Sequence, residues 1–172
     1  AAQDTFLYLR IALELRPNFP PAQLMLANLY EQLGDYKQAI AIYDDIPEGS
    51  VFSRRAQVRK ALNLEAMGEK QHAIELLDSL AKRYPQDATP VITKADMLRT
   101  AKDLKGAIAA YTDAIARSEP LKADDWPLLY ARGISYERSG NWCRGGFPTR
   151  AATATQPAGC AELPRILMAH HE

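Results

Sequence analysis

The sequence predicts an all-α protein of about eight helices, stacked as antiparallel pairs. Three observations predict it. Ala39, Ala73 and Ala107 are spaced by 34 and 34 residues, with Ile40, Ile74 and Ile108 following in step. Within each period, apolar residues recur three and four positions apart, the spacing of one helix face. Gly34 and Gly68 hold a common register where one helix must stop and the next begin. A fixed period of roughly 20–50 residues marks an array whose units bury their apolar faces only against neighbours.

The elements follow in order. Residues 1–19 contain "FLYLRIALELRP", which reads as a second helix without its partner, since Leu9, Ala12 and Pro17 match Leu77, Leu80 and Pro85. The first full unit, about 20–53, opens on "PAQLMLANLYEQLG". Pro20 and Pro21 stand near its start, where a missing N–H costs little. Gly34 suits the left-handed residue that ends this helix. Asp35 is placed to accept from the free N–H groups of the next one. Ala39 is small where two helices must approach closely, and Tyr43 and Ile46 follow in the same register. The second unit, about 54–87, repeats the scheme with Ala61, Gly68, Ala73, Leu77 and Leu80, and Pro85 turns the chain onward. In the third, about 88–121, Lys102 stands where the other units have Gly, followed by Asp103, Ala107, Tyr111 and Ala114. A left-handed Lys102 costs roughly 1 kcal/mol, and a slightly different turn there is equally open. The next unit, about 122–142, is incomplete and runs four residues late because of "SEPLKADDWP". Asp124 and Asp125 are expected to cap its helix, near Asp125 to Ser139, where Tyr136 and Gly140 answer Tyr30 and Gly34.

A 34-residue period carried by Ala27, Tyr30, Gly34, Ala39 and Tyr43, then Ala61, Gly68, Ala73, Leu77 and Pro85, resembles the tetratricopeptide repeat family. The resemblance runs from about Thr5 to Trp142. It departs at Lys102 and at Glu119-Pro120, which is shifted by one. It implies a right-handed α-solenoid, first helices on the concave side and second helices on the convex side. It also implies a non-catalytic protein–protein interaction scaffold that holds a peptide or a partner's helix in the concave groove. In this family the contacts come mostly from exposed residues of first helices. By register these are Leu24, Asn28 and Glu31, then Arg55, Val58, Leu62 and Glu65, then Thr89, Ile92, Asp96 and Arg99. Chaperone-binding members clamp a terminal carboxylate with Asn and Lys or Arg. Asn28 matches one such Asn, but Leu24 stands where the clamp wants Lys, so the clamp is not carried over. General likeness to bacterial members suggests a bacterial protein, with cytoplasm and periplasm both open.

Composition narrows the function classes. The 172 residues carry 21 basic and 21 acidic side chains, which argues against a polyanion-binding surface. No apolar run approaches the roughly 18 residues of a membrane span. The chain starts without Met and already inside a helical pattern, so it reads as a fragment or processed product. His72, beside Ala73 on a second helix, is expected at the surface, with no nucleophile motif around it. Cys143 and Cys160 lack the close Cys spacing of structural zinc sites, even with His170 and His171 after them. "CRGGF" lacks the Lys-Ser/Thr that completes a phosphate loop. No catalytic residue, metal or cofactor is therefore expected. The second function class is an accessory arm of a larger enzyme whose catalytic domain lies outside this chain.

Residues 143–172 break from the repeats, with no Lys, Asp, Asn, Ser, Val or Tyr and with both Cys of the chain. They are expected to form an irregular tail, with at most a short helix near Leu163 to His170. Their codons, read one base later, permit "AEADFxxALxLxP", which has the Ala, Phe, Ala and Pro spacing of a second helix. Further on they permit "NYLGYxW", with Trp forced by Met168-Ala169. The tail is thus expected to arise from a reading-frame shift, and the nucleotide sequence tests this.

Overall fold

The computed structural model describes residues 2–122 and 125–140. Among them lie eight α-helices and no strand: α1 (Ala2–Leu15), α2 (Pro20–Gln32), α3 (Tyr36–Asp44), α4 (Ser53–Ala66), α5 (Lys70–Arg83), α6 (Thr89–Thr100), α7 (Leu104–Arg117) and α8 (Trp126–Arg138). The expected all-α class and helix number are observed. None of these helices is long and apolar enough to cross a membrane. The tail with its two Cys, its two His and its expected frame shift lies outside the described residues, as does Asp124.

The described residues divide into two compact units, the first ending at Thr93 and the second beginning at Lys94. In the first, α1 packs on α2, α2 on α3, α3 on α4 and α4 on α5. One core cluster joins Ala27 of α2, Ala39 and Tyr43 of α3, Ile46 in the turn after α3, and Ala56 of α4, with Leu24, Tyr30 and Ile42 against it. Phe6 of α1 meets Tyr30 edge-on, ring centres 5.4 Å apart. Further along, Ala61, Ala73 and Leu77 are wholly buried. In the second unit α7 packs on α8, and Ala95, Ala107, Tyr111 and Ala114 are buried. The 34-residue register therefore places Ala27, Ala61 and Ala95 on first helices, and Ala39, Ala73 and Ala107 on second helices, all without exposed surface. An Ala at both positions lets two backbones approach without a side chain between them.

The turns explain the punctuation. Gly34, Gly68, Lys102 and Gly140 all have positive φ, at 76°, 85°, 64° and 77°. Gly34 N–H donates to the carbonyl of Glu31, and Asp35 N–H to that of Tyr30. Gly68 and Glu69 do the same to Glu65 and Leu64, and Lys102 and Asp103 to Arg99 and Leu98. This paired 5→2 and 6→1 pattern ends a helix on a left-handed residue and satisfies its last carbonyls. The following residue then starts the next helix. Asp35 accepts from Gln38 N–H at 3.2 Å, and Asp103 from Gly106 N–H at 3.0 Å. Glu69 makes no such cap; its longer side chain meets His72 Nδ1 at 3.0 Å. The expected cap at Asp125 does not form. Its carboxylate instead accepts from Lys122 N–H at 2.8 Å, and Pro127 offers no N–H in the first turn of α8.

Lys102 holds the left-handed conformation that Gly holds in the other three turns, so Lys102→Gly relieves a steric cost at Cβ. We expect a gain of up to about 1 kcal/mol, reduced by the greater freedom of Gly in the unfolded chain. Urea denaturation checks this. A loss of stability would mean that the Lys102 side chain contributes more than its backbone strain costs.

Candidate functional site

The candidate groove residues fall into two groups by what they touch. Glu31, Asp96 and Arg99 serve the buried tyrosines of second helices. Tyr43 is almost wholly buried on α3, and its hydroxyl donates to Glu31 at 2.9 Å. Glu31 also accepts from the Arg59 guanidinium and the Asn63 amide, both from α4. In the second unit, the Tyr111 hydroxyl donates to Asp96 at 2.6 Å and accepts from Arg99 Nε at 3.0 Å. A buried phenol needs a partner for its hydroxyl, and first helices supply it. Between these two tyrosines the register position is Leu77, which has no hydroxyl, and Glu65 stands in the place of Glu31 and Arg99.

Burial raises the pKa of Tyr43 and of Tyr111 to about 12, because the phenolate would lose its hydration. Arg59 and Arg99 lie close enough to oppose this partly. The folded pKa exceeds the ordinary value of 10.0, so folding is favoured by these groups below pH 10. That contribution is lost as pH rises through about 12. Thermal denaturation should therefore show a falling midpoint over this window, weakened in Tyr43→Phe/Tyr111→Phe. An unchanged slope in the double variant would mean that other groups dominate the alkaline limb.

The remaining candidates carry less internal work. Asn28 is exposed and accepts only from Gln32, one turn along its own helix, at 2.9 Å. Leu24 packs against the core cluster of α2 and α3. Val58, Leu62, Glu65 and Ile92 are half-buried, and Arg55 and Thr89 are exposed. Arg55, Val58 and Thr89 come together with Val51, Arg54, Arg59 and Asp87 around a cavity of about 400 Å³. Register arguments name the first three of these and miss the others. Val51 and Asp87 lie in turns, where helical periodicity carries no information. Arg54 lies over the ring of Tyr84, 5.2 Å from its centre, and reaches Asp87 at 3.4 Å. His72 is exposed as expected, and its contact with Glu69 raises its pKa. Among the described residues, no three His, Cys, Asp or Glu side chains are grouped so as to hold a metal ion.

Two family models, both described as tetratricopeptide repeat, match the chain, one over residues 2–62 and the other over 58–122. Solved structures similar in fold include two of MamA and one of PilW. A crystal structure of MamA shares 20% identity at a TM-score of 0.62, covering 81% of this chain and 80% of that one. MamA from Desulfovibrio magneticus RS-1, residue 41 to the end, shares 18% at 0.62, covering 84% and 79%. PilW, described as a widely conserved type IV pilus biogenesis factor, shares 18% at 0.62, covering 80% and 64%. The sequence matches none of the curated proteins.

Proposed function

The chain belongs to the tetratricopeptide repeat family, and from that premise we propose that it is a non-catalytic scaffold that binds an extended peptide or a partner's helix along its first helices. The observation that carries this reading is the mixed face that first helices keep outside the core. Both kinds of helix feed the core, second helices with Ala39 and Tyr43, Ala73 and Leu77, Ala107 and Tyr111, and first helices with Ala27, Ala61 and Ala95. First helices keep Asn28, Arg55 and Thr89 exposed, with Val58, Leu62, Glu65 and Ile92 half-buried. Such a mixed lining suits side-chain pockets with a few polar contacts, in which a small number of residues dominate affinity. The second reading, an accessory arm of a larger enzyme, uses the same surface and adds a catalytic domain outside this chain.

A photo-crosslinking residue placed in turn at Asn28 and Leu62 should capture a protein partner from the native cell extract. The same residue at Ala41 and Glu75, exposed positions of second helices, should not. Capture only from Ala41 and Glu75 would overturn the assignment of the binding surface.

A further inference from the structure

One second helix carries large apolar side chains where its counterparts carry polar or small ones. By register, Leu7, Ile11 and Leu15 of α1 answer Glu75, Ser79 and Arg83 of α5, and Ala109, Asp113 and Arg117 of α7. Glu75, Ser79, Arg83, Ala109 and Asp113 are exposed, although α5 packs on α4 and α7 on α8. These positions therefore point outward, and packing of helix on helix within the array does not cover them. In α1 the same outward positions hold Leu7, 57% exposed, Ile11, 47%, and Leu15, 82%. Tyr8 beside them is exposed as well. The inward face is a separate set, Phe6, Leu9, Ala12 and Leu13, all half-buried. Helix α1 is thus apolar on two opposite faces, of which α2 takes one. Single exposed leucines are ordinary, but four large apolar side chains along one side of a helix form a patch of the kind that marks a contact surface.

The charges beside the patch select its occupant. Arg10 and Glu14 form the row next to Leu7, Ile11 and Leu15, and both are exposed. Residues four apart make a ridge on a helix, and two such ridges pack against each other. When two copies of α1 run antiparallel about Ile11, Leu7 of each lies opposite Leu15 of the other, and Ile11 opposite Ile11. Arg10 of each copy then comes level with Glu14 of the other, offset by about 3 Å along the axis at the helical rise. In a parallel pair Arg10 would meet Arg10 and Glu14 would meet Glu14, and like charges repel. The face is self-complementary in one orientation, as a two-fold interface requires. A lipid surface fits it less well. Helices that lie on membranes are rich in Lys and Arg on the polar face, whereas α1 sets Asp4 and Glu14 against Arg10.

We propose that the outward face of α1 is a contact between two copies of this chain, an antiparallel two-fold pair centred on Ile11 with Arg10–Glu14 ion pairs at its edge. One short helix from each copy makes a small interface, so the dimer is weak and depends on concentration. The pairing uses none of the first-helix residues assigned to peptide binding, so a dimer presents two such surfaces. It goes beyond the peptide-binding reading and does not depend on it.

Sedimentation velocity of the full chain tests this, with a reductant present so that Cys143 and Cys160 cannot link copies. Over roughly 5–500 µM, monomer should give way to dimer. Ile11→Glu sets two carboxylates against each other at the two-fold axis and should weaken dimerisation by about tenfold or more. Ser79→Glu, at the same register position of α5, should leave it unchanged. Arg10→Glu and Glu14→Arg should each weaken the dimer several-fold. The double exchange Arg10→Glu/Glu14→Arg should restore it, because the order of charges is reversed in both copies. Urea midpoints show whether each variant keeps its fold. Leu15→Glu replaces Ile11→Glu if the latter lowers its midpoint, since Leu15 is the more exposed of the two. A chain that stays monomeric over the whole range would overturn the proposal. A dimer that both Ile11→Glu and Leu15→Glu leave intact would place the contact elsewhere. A double exchange no better than the single ones would rule out the antiparallel pairing. Binding of the monomeric chain to phosphatidylglycerol vesicles, abolished by Ile11→Glu, would assign the face to a lipid surface instead.

Discussion

Ala73→Leu should destabilise the protein by about 1–3 kcal/mol, and Ala107→Leu should do the same. Both alanines have no exposed surface. Each lies on a second helix, α5 or α7, and α4, against which α5 packs, carries Ala61 with equally little exposure. A leucine adds three heavy atoms where the packing leaves no room, so the helices must separate or the side chain must leave its rotamer. Separation of α4 and α5 would also loosen the stacking of neighbouring pairs, because a repeat array is held by nearest-neighbour interfaces. Denaturant midpoints measure the loss. Ala41→Leu is the control: Ala41 is exposed on α3, and leucine forms helix nearly as well as alanine. An unchanged midpoint for Ala73→Leu would mean that the helix pairs do not approach closely at this position.

The alanine register and the turns were legible in the sequence because each has a strict local requirement. A residue at positive φ is normally Gly, so Gly34, Gly68 and Gly140 announce themselves. Lys102 was marked only through the period, which placed it at the turn position but left open whether it is left-handed or the turn differs; the structure shows it left-handed. The Asp125 cap was misread for the opposite reason. Acidic residues before a helix satisfy the capping pattern, yet the carboxylate can turn back into the preceding loop, and here it bonds to Lys122 N–H.

The candidate site was legible only as a face. Helical register says which residues lie along one side of α2, α4 and α6, but not which of them the fold itself employs. Glu31 and Arg99 each precede a buried tyrosine by twelve residues. Glu65 precedes Leu77 by the same interval and has no hydroxyl to serve. That contrast was available as a signal: a tyrosine at a buried register position obliges its neighbours to hold a hydroxyl. The cavity was less accessible, since Val51 and Asp87 come from turns whose geometry no periodicity fixes.

Glu31→Ala should cost about 2–3 kcal/mol, more than any substitution of an exposed candidate residue. Glu31 gathers three donors, the Tyr43 hydroxyl, the Arg59 guanidinium and the Asn63 amide, and its own side chain is only 10% exposed. Without it, Tyr43 is left with a buried hydroxyl and no acceptor. Asn63 suffers less, because its amide also donates to the Arg59 carbonyl at 2.7 Å. Arg59 is 39% exposed and can turn toward water, so the loss stays below the roughly 3–5 kcal/mol of a wholly buried ion pair. Glu31→Gln keeps an acceptor and should cost about half as much, since only the charge is removed. Tyr43→Phe in the Glu31→Ala background should then be nearly free, because the hydroxyl it deletes has already lost its partner. Asn28→Ala, one turn earlier on the same helix, should change stability by less than about 0.5 kcal/mol. Urea midpoints for the four variants separate these cases. Equal midpoints for Glu31→Ala and Asn28→Ala would show that Glu31 does not hold α2, α3 and α4 together. The expected difference has a consequence for ligand studies. A loss of binding in a Glu31 variant would report a loosened scaffold, whereas a loss in an Asn28 or Arg55 variant would report the surface itself.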